Sequence, residues 1–234
     1  MLFIEVNFLR FVSIFIGQGS LAIFFILISY QLLERSQSSE NIIISLFYIL
    51  ESSSFVLNII FFFVRSNPVT TILCFIAIYL MTFSPILLLS FLYFLYPIGN
   101  KYCYHKISII VYGIFLFILL IIPGSFEISE NTEWRPEISW FFLISLYILF
   151  TGFIFIPFII RMEKISGKFK DYNLKKRWIY FKLGFYGIMM SFYGLILYSK
   201  WRNPIFQVIY PLLTFLLIPA GYLLYLGIAK RMDF

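Results

Sequence analysis

The amino-acid sequence predicts an all-α polytopic membrane protein: a bundle of seven transmembrane helices, its N-terminus outside and its C-terminus cytoplasmic. Three observations carry that expectation. Hydrophobic residues make up 62% of the 234 and charged residues 12%, whereas a soluble domain carries roughly 25% charge. The apolar residues gather in seven runs, each long enough to cross a hydrocarbon layer roughly 30 Å thick. Basic residues concentrate in alternate connections between those runs.

The runs occupy about 8–33, 42–64, 69–96, 107–123, 139–160, 178–199 and 204–229. Backbone polar groups find no water in lipid, so each run must be a helix that closes its own hydrogen bonds. The first is ended by Glu34, Arg35 and the polar stretch Ser36 to Asn41. Arg65-Ser66-Asn67-Pro68 ends the second, and its proline suits the first turn of the third. Tyr96-Pro97-Ile98-Gly99-Asn100 turns the chain into Lys101 and Lys106, and Pro123-Gly124 closes the fourth and shortest run. Trp201-Arg202-Asn203-Pro204 separates the last two. Spans and short connections together use the whole length, so residues 1–234 form one transmembrane domain. The first run is too long for a signal-peptide core and lacks a basic segment before it, so it is expected to remain as a membrane helix.

Orientation follows from charge. One set of connections holds Arg35, Lys101, Lys106, seven residues between Arg161 and Arg177, Lys230 and Arg231. The other holds only Arg10, Arg65, Arg135, Lys200 and Arg202. Lysine and arginine favour the cytoplasmic side of short loops, which puts the first set inside. Tyr96, Tyr102, Tyr104, Trp178 and Tyr180 then mark one headgroup level, and Trp140 and Trp201 the other. The net charge of +7 points to anionic lipid at the bilayer surface and away from nucleic acid. Cys74 and Cys103 fall on opposite sides and cannot approach within the roughly 5–6 Å between α-carbons that a disulfide needs.

Glu51 is the most informative single residue, because an ionised carboxylate in mid-membrane costs a few kcal/mol. It should face the bundle, on one helix face with Ser54 and Asn58 at spacings of three and four. Gln18, Thr82, Ser84 and Thr214 are expected at similar depth as donors. Two readings stand: a proton-sensitive polar pocket, or a protonated acid holding helices together. Pro85, Pro157, Pro211 and Pro219 lie inside spans and should kink them, mainly shaping packing.

The connection holding Arg161, Lys164, Lys168, Lys170, Lys175, Lys176 and Arg177 is expected to meet anionic lipid or an acidic partner. Opposite it, Glu127, Glu130, Glu133 and Glu137 lie in a connection whose spacing matches no calcium loop. Exclusions are as useful. His105 is the only histidine and is expected in a loop, which removes paired-histidine haem and histidine-ligated zinc. Lys200 and Lys230 flank the last span at its ends, so no lysine stands where retinal would attach. With neither a Gly-x-Ser-x-Gly elbow nor a Walker loop, no enzyme activity, cofactor or metal site is expected.

The closing stretch runs from Leu217-Ile218-Pro219-Ala220-Gly221-Tyr222 through Leu226-Gly227-Ile228-Ala229 to Lys230-Arg231-Met232-Asp233. This proline-bearing helix ending in a basic pair resembles the end of the seven-helix N-terminal sensor module of microbial histidine kinases. That resemblance implies a sensor. Such modules continue into a cytoplasmic effector, whereas this sequence stops at Phe234, so its expected output passes through a separate cytoplasmic protein. A small transporter or channel subunit using Glu51, and a scaffold for other membrane proteins, are the alternatives.

Overall fold

The computed structural model describes residues 11–64, 66–95, 101–132, 134–169, 171–201 and 203–228, with the side chains of 101–104, 204 and 212 excepted. It is all-α apart from one two-stranded ribbon. Six helices are long and apolar enough to cross a membrane: α1 (Ser13–Arg35), α2 (Ser39–Phe63), α3 (Val69–Leu95), α5 (Trp140–Ser166), α6 (Tyr172–Tyr198) and α7 (Ile205–Ile228). Between them lies α4 (Lys101–Ile121), whose apolar part, His105–Ile121, is shorter. The turn expected at 96–100 and the outer limits of the first and last runs lie outside the described residues. So do Arg10, Arg65, Glu133, Arg202, Lys230 and Arg231, and the side chains of Lys101, Tyr102, Cys103 and Tyr104.

Short polar side chains start these helices. Ser38 accepts from the Asn41 amide and Ser139 from that of Phe142. Asp171 accepts from Asn173, and Asn203 from Ile205 and Phe206. Each answers amides that a first turn leaves open. The ribbon lies in the α4–α5 connection, where β1 (Phe126–Glu127) pairs antiparallel with β2 (Glu137–Ile138). Gly124, at φ +80°, makes the turn that leads into it. The register sets Glu127 opposite Glu137. Lys200 lies 3.6 Å from Glu137, and Ser129 donates to Glu127, easing that juxtaposition.

The outward faces are those of a lipid-solvated bundle. Ile23 is 64% exposed, Ile148 69% and Met190 77%. Inside, phenylalanine and leucine fill the core, with Phe25, Phe47, Phe91, Phe142 and Phe181 all buried. Trp178, near the start of α6, is fully buried against Phe169 and Phe181.

Proline leaves local marks. Pro85 cannot donate to the Met81 carbonyl four residues back, and the α-helical pattern of α3 is interrupted by a turn at Ser84. Ahead of Pro157, α5 widens into a π-helical turn over Thr151–Phe155, where the Ile156 amide reaches back five residues to Thr151. Between Pro211 and Pro219, α7 tightens into a 3-10 turn over Thr214–Leu216.

α2 is central. Its Ser45 exchanges hydroxyl-to-carbonyl bonds with Ser29 of α1, and Ser52 donates to Ala22. Tyr48 reaches Gly221 of α7. Helix pairs in lipid gain little from burial alone, so such bonds and close contact hold them. α6 and α7 approach closest, with backbone against backbone. A β-carbon on Gly184 would stand 2.5 Å from the Leu224 amide nitrogen, and one on Gly227 2.8 Å from that of Phe181. Gly184→Ala should therefore destabilise the protein by about 1–3 kcal/mol. Gly152→Ala, with nothing within 4 Å of the added carbon, should be neutral or stabilising by up to about 1 kcal/mol. Thermal unfolding of the detergent-solubilised variants measures both.

Candidate functional site

The seven residues read from the sequence as one mid-membrane set occupy three places. The first is the Glu51 pocket. Glu51 points inward at 3% exposure and meets the Ser84 hydroxyl. It borders a cavity of about 20 Å³, otherwise walled by Phe25, Phe47, Phe55, Met81, Phe192 and other largely apolar side chains. That is room for about one water, so the pocket holds no organic ligand.

Ser84 also lies 3.1 Å from the Met81 carbonyl, the one left open by Pro85. A hydroxyl carries one proton, so it cannot serve an anionic Glu51 and Met81 together. If Glu51 carries the acid proton and donates it to Ser84, the Ser84 proton goes to Met81, and both the hydroxyl oxygen and the opened carbonyl are answered. The kink and the carboxyl thus complete one another across the α2–α3 contact.

Ser54 and Thr82 form the second place. Ser54 donates to the Ala77 carbonyl at 2.9 Å, across the same contact. Thr82 turns back onto its own helix, 2.6 Å from the Ile78 carbonyl, while its carbonyl accepts from Tyr112 of α4 at 2.6 Å. Both hydroxyls serve packing.

Gln18, Asn58 and Thr214 are brought together in the third place. They line a cavity of about 100 Å³ near the 124–138 connection, closed on other sides by Ser13, Gln207 and Tyr210. The connection itself contributes Arg135 and Pro136. Gln207 is held by donating to the Tyr198 and Trp201 carbonyls at 3.0 and 2.9 Å. Thr214 bonds the Pro211 carbonyl at 2.6 Å. Gln18 is 8% exposed, and its Oε1 has no hydrogen-bond partner among the described residues. Four elements therefore present a buried acceptor and a guanidinium to one polar space. The sequence placed Gln18, Asn58 and Thr214 in the bundle, but spacing along a helix could not bring in Arg135 from a connection.

The basic segment 161–177 is mostly helix. α5 runs on to Ser166 and α6 begins at Tyr172, leaving only a short corner. Lys164, Lys168, Lys175 and Lys176 are exposed there, Arg177 is half-buried, and Lys170 lies outside the described residues. Arg161 departs from the expected surface role: it is 5% exposed, with its guanidinium 4.4 Å from the centre of the Tyr93 ring. His105, expected in a loop, belongs to α4 and is buried. Its ring stacks on Tyr93 at 4.1 Å, and its Nε2 lies 2.9 Å from the Ser90 hydroxyl. That stacking draws α4 back toward the end of α3 and lengthens it beyond the apolar run. Among the described residues no cluster of histidine, cysteine, aspartate and glutamate is arranged to hold a metal.

No protein-family model, curated protein or solved structure matches this chain, so its own residues must carry the functional argument.

Losing Ser84 strands both Glu51 and the Met81 carbonyl, and each buried orphan costs about 1–3 kcal/mol. Ser84→Ala should lower unfolding stability by at least that amount. Glu51→Gln keeps a donor toward Ser84 and should cost far less. Equal losses in the two variants, measured by thermal unfolding, would contradict the shared proton chain.

Proposed function

We propose that this chain is a receptor-like membrane protein of seven transmembrane helices, N-terminus outside and C-terminus cytoplasmic, that takes a small polar ligand into the cavity beside the 124–138 connection. The observation carrying this reading is the convergence there of Gln18, Asn58 and Thr214, with Gln18 Oε1 buried and unanswered. A ligand with a hydrogen-bond donor relieves that orphaned acceptor. Arg135 favours a carboxylate on the same molecule, so the best fit is a small hydroxy- or amino-carboxylate of a few heavy atoms.

The α4 helix supports the seventh crossing. Its apolar part, His105–Ile121, rises about 25 Å, near the lower limit for the hydrocarbon layer, and the polar turn before it reaches the headgroup level. The exposed lysines at the α5–α6 corner support that end being cytoplasmic. The ligand cavity then opens toward the outside. A ligand drawing α1, α2 and α7 together acts at the 3-10 turn of α7, and the glycine contacts between α6 and α7 carry the movement to their inner ends. The single-water pocket at Glu51 favours this reading over transport, because it leaves that carboxyl no polar path.

Two measurements test the proposal. In a background lacking Cys74 and Cys103, thiols introduced at Gln37 and Ser129 should label from opposite sides of the membrane; labelling from one side means that α4 does not cross. Gln18→Leu should raise the melting temperature of the unliganded protein, because an orphaned acceptor is removed. Glycolate or glycine at about 100 times its dissociation constant should stabilise the unsubstituted protein by about 2.7 kcal/mol. That gain should vanish in Gln18→Leu and fall in Arg135→Gln. A stable Gln18→Leu variant that keeps the full ligand-induced shift contradicts the site.

A further inference from the structure

A second, larger opening lies on the side of the bundle. α3, α4 and α5 leave a groove of about 900 Å³ between them, open to the exterior, at the upper end of the range that ligand pockets occupy. One end holds Tyr93, His105 and Ser108; the rest is lined by Phe115, Ile148, Leu149 and other mainly apolar side chains. Phe115 and Ile148 are 53% and 69% exposed, so the groove faces the hydrocarbon of the membrane. From His105 to Phe115 the α4 backbone rises about 15 Å, roughly the depth of one leaflet.

Charge is arranged at the polar end. Arg161 lies over the Tyr93 ring and His105 stacks on it, so a guanidinium sits one ring away from the mouth. Glu163, two residues further on, is engaged by Lys182 at 2.6 Å. The adjoining corner adds the exposed Lys164 and Lys168. The floor of the groove is a recess built into the helix: Gly152 lies in the π-helical turn ahead of Pro157, and a β-carbon there would meet nothing within 4 Å.

We infer that this groove is a binding site for one acyl chain of an anionic phospholipid, whose headgroup sits at the Tyr93–His105–Arg161 end of the bundle. Apolar walls of one-leaflet depth fit the chain, and the cations beside the mouth select the headgroup. The site shares no residue with the outer cavity and rests only on the protein's being embedded in a membrane, so either site can fail alone.

Native mass spectrometry with phosphatidylglycerol and phosphatidylcholine in equal amounts tests the inference. The unsubstituted protein should retain one phosphatidylglycerol about fivefold in preference, the factor expected for one cation at a headgroup. Gly152→Phe starts from a β-carbon that meets nothing within 4 Å and sends its ring into the groove; it should lose that adduct while keeping its melting temperature. Arg161→Met, similar in bulk, should weaken the preference, and combining it with Lys164→Gln and Lys168→Gln should erase it and retain both lipids equally. Phosphatidylglycerol with a photoreactive group in its tail should label α4 and α5 of the unsubstituted protein in preference to other exposed faces, such as those at Ile23 and Leu183. Three results would overturn the inference: equal retention of both lipids by the unsubstituted protein, an undiminished adduct in folded Gly152→Phe, or labelling spread evenly around the bundle.

Discussion

Hydrocarbon offers a polar group no partner, so whatever polar atoms lie between these helices must be answered from within the bundle. This constraint accounts for most of the specific contacts. Ser29, Ser45, Ser52, Ser54 and Tyr48 each send a hydroxyl to a carbonyl of a neighbouring helix. A helical carbonyl has a second lone pair to spare, so these bonds add cohesion without opening either helix. Each is worth little, on average about 0.6 kcal/mol. Their value is in fixing which faces meet, since aliphatic side chains pack against lipid as readily as against one another.

Glu51 shows how the same rule handles an expensive group. Proline at position 85 opens a carbonyl, serine at 84 reaches it, and a carboxyl from α2 completes the line. A helix defect and a mid-membrane acid, each unfavourable alone, become complementary. Gln18 shows the opposite outcome, with an acceptor left open in a polar cavity. Arg135 Nε, Arg161 Nε and Trp178 Nε1 are buried nitrogens in the same position, but Gln18 Oε1 is the acceptor among them, and it lies where three helices and a connection meet.

Close packing divides the bundle. α6 and α7 are locked through Gly184 and Gly227, where backbones touch. α4 holds the rest through a few contacts, chiefly the Tyr112 bond to Thr82 and the His105 stack on Tyr93. α4 borders the large groove, and the tightly held pair joins the last two spans.

The sequence alone determined the class of fold, the order of most helices and the prolines that distort them. Apolar length and a missing amide act locally, so one dimension suffices to read them; α4 begins at Lys101, α5 runs on to Ser166 and α6 begins at Tyr172, beyond their apolar runs, because polar helix ends leave no mark in hydropathy. It also singled out Glu51, since a carboxyl inside an apolar span needs an answering partner whichever residue supplies it. Tertiary structure decided the rest. Gln18, Asn58 and Thr214 come from three helices and Arg135 from a connection, and no spacing rule relates them. Arg161 read as a surface residue because arginine usually is; its contact with the Tyr93 ring goes with its burial. His105 read as a loop residue for a related reason, its place in α4 being fixed by Tyr93 and Ser90 of another helix. Which polar groups are answered, and which are left open, depends on how helices rotate against one another, and that is settled only when all of them pack.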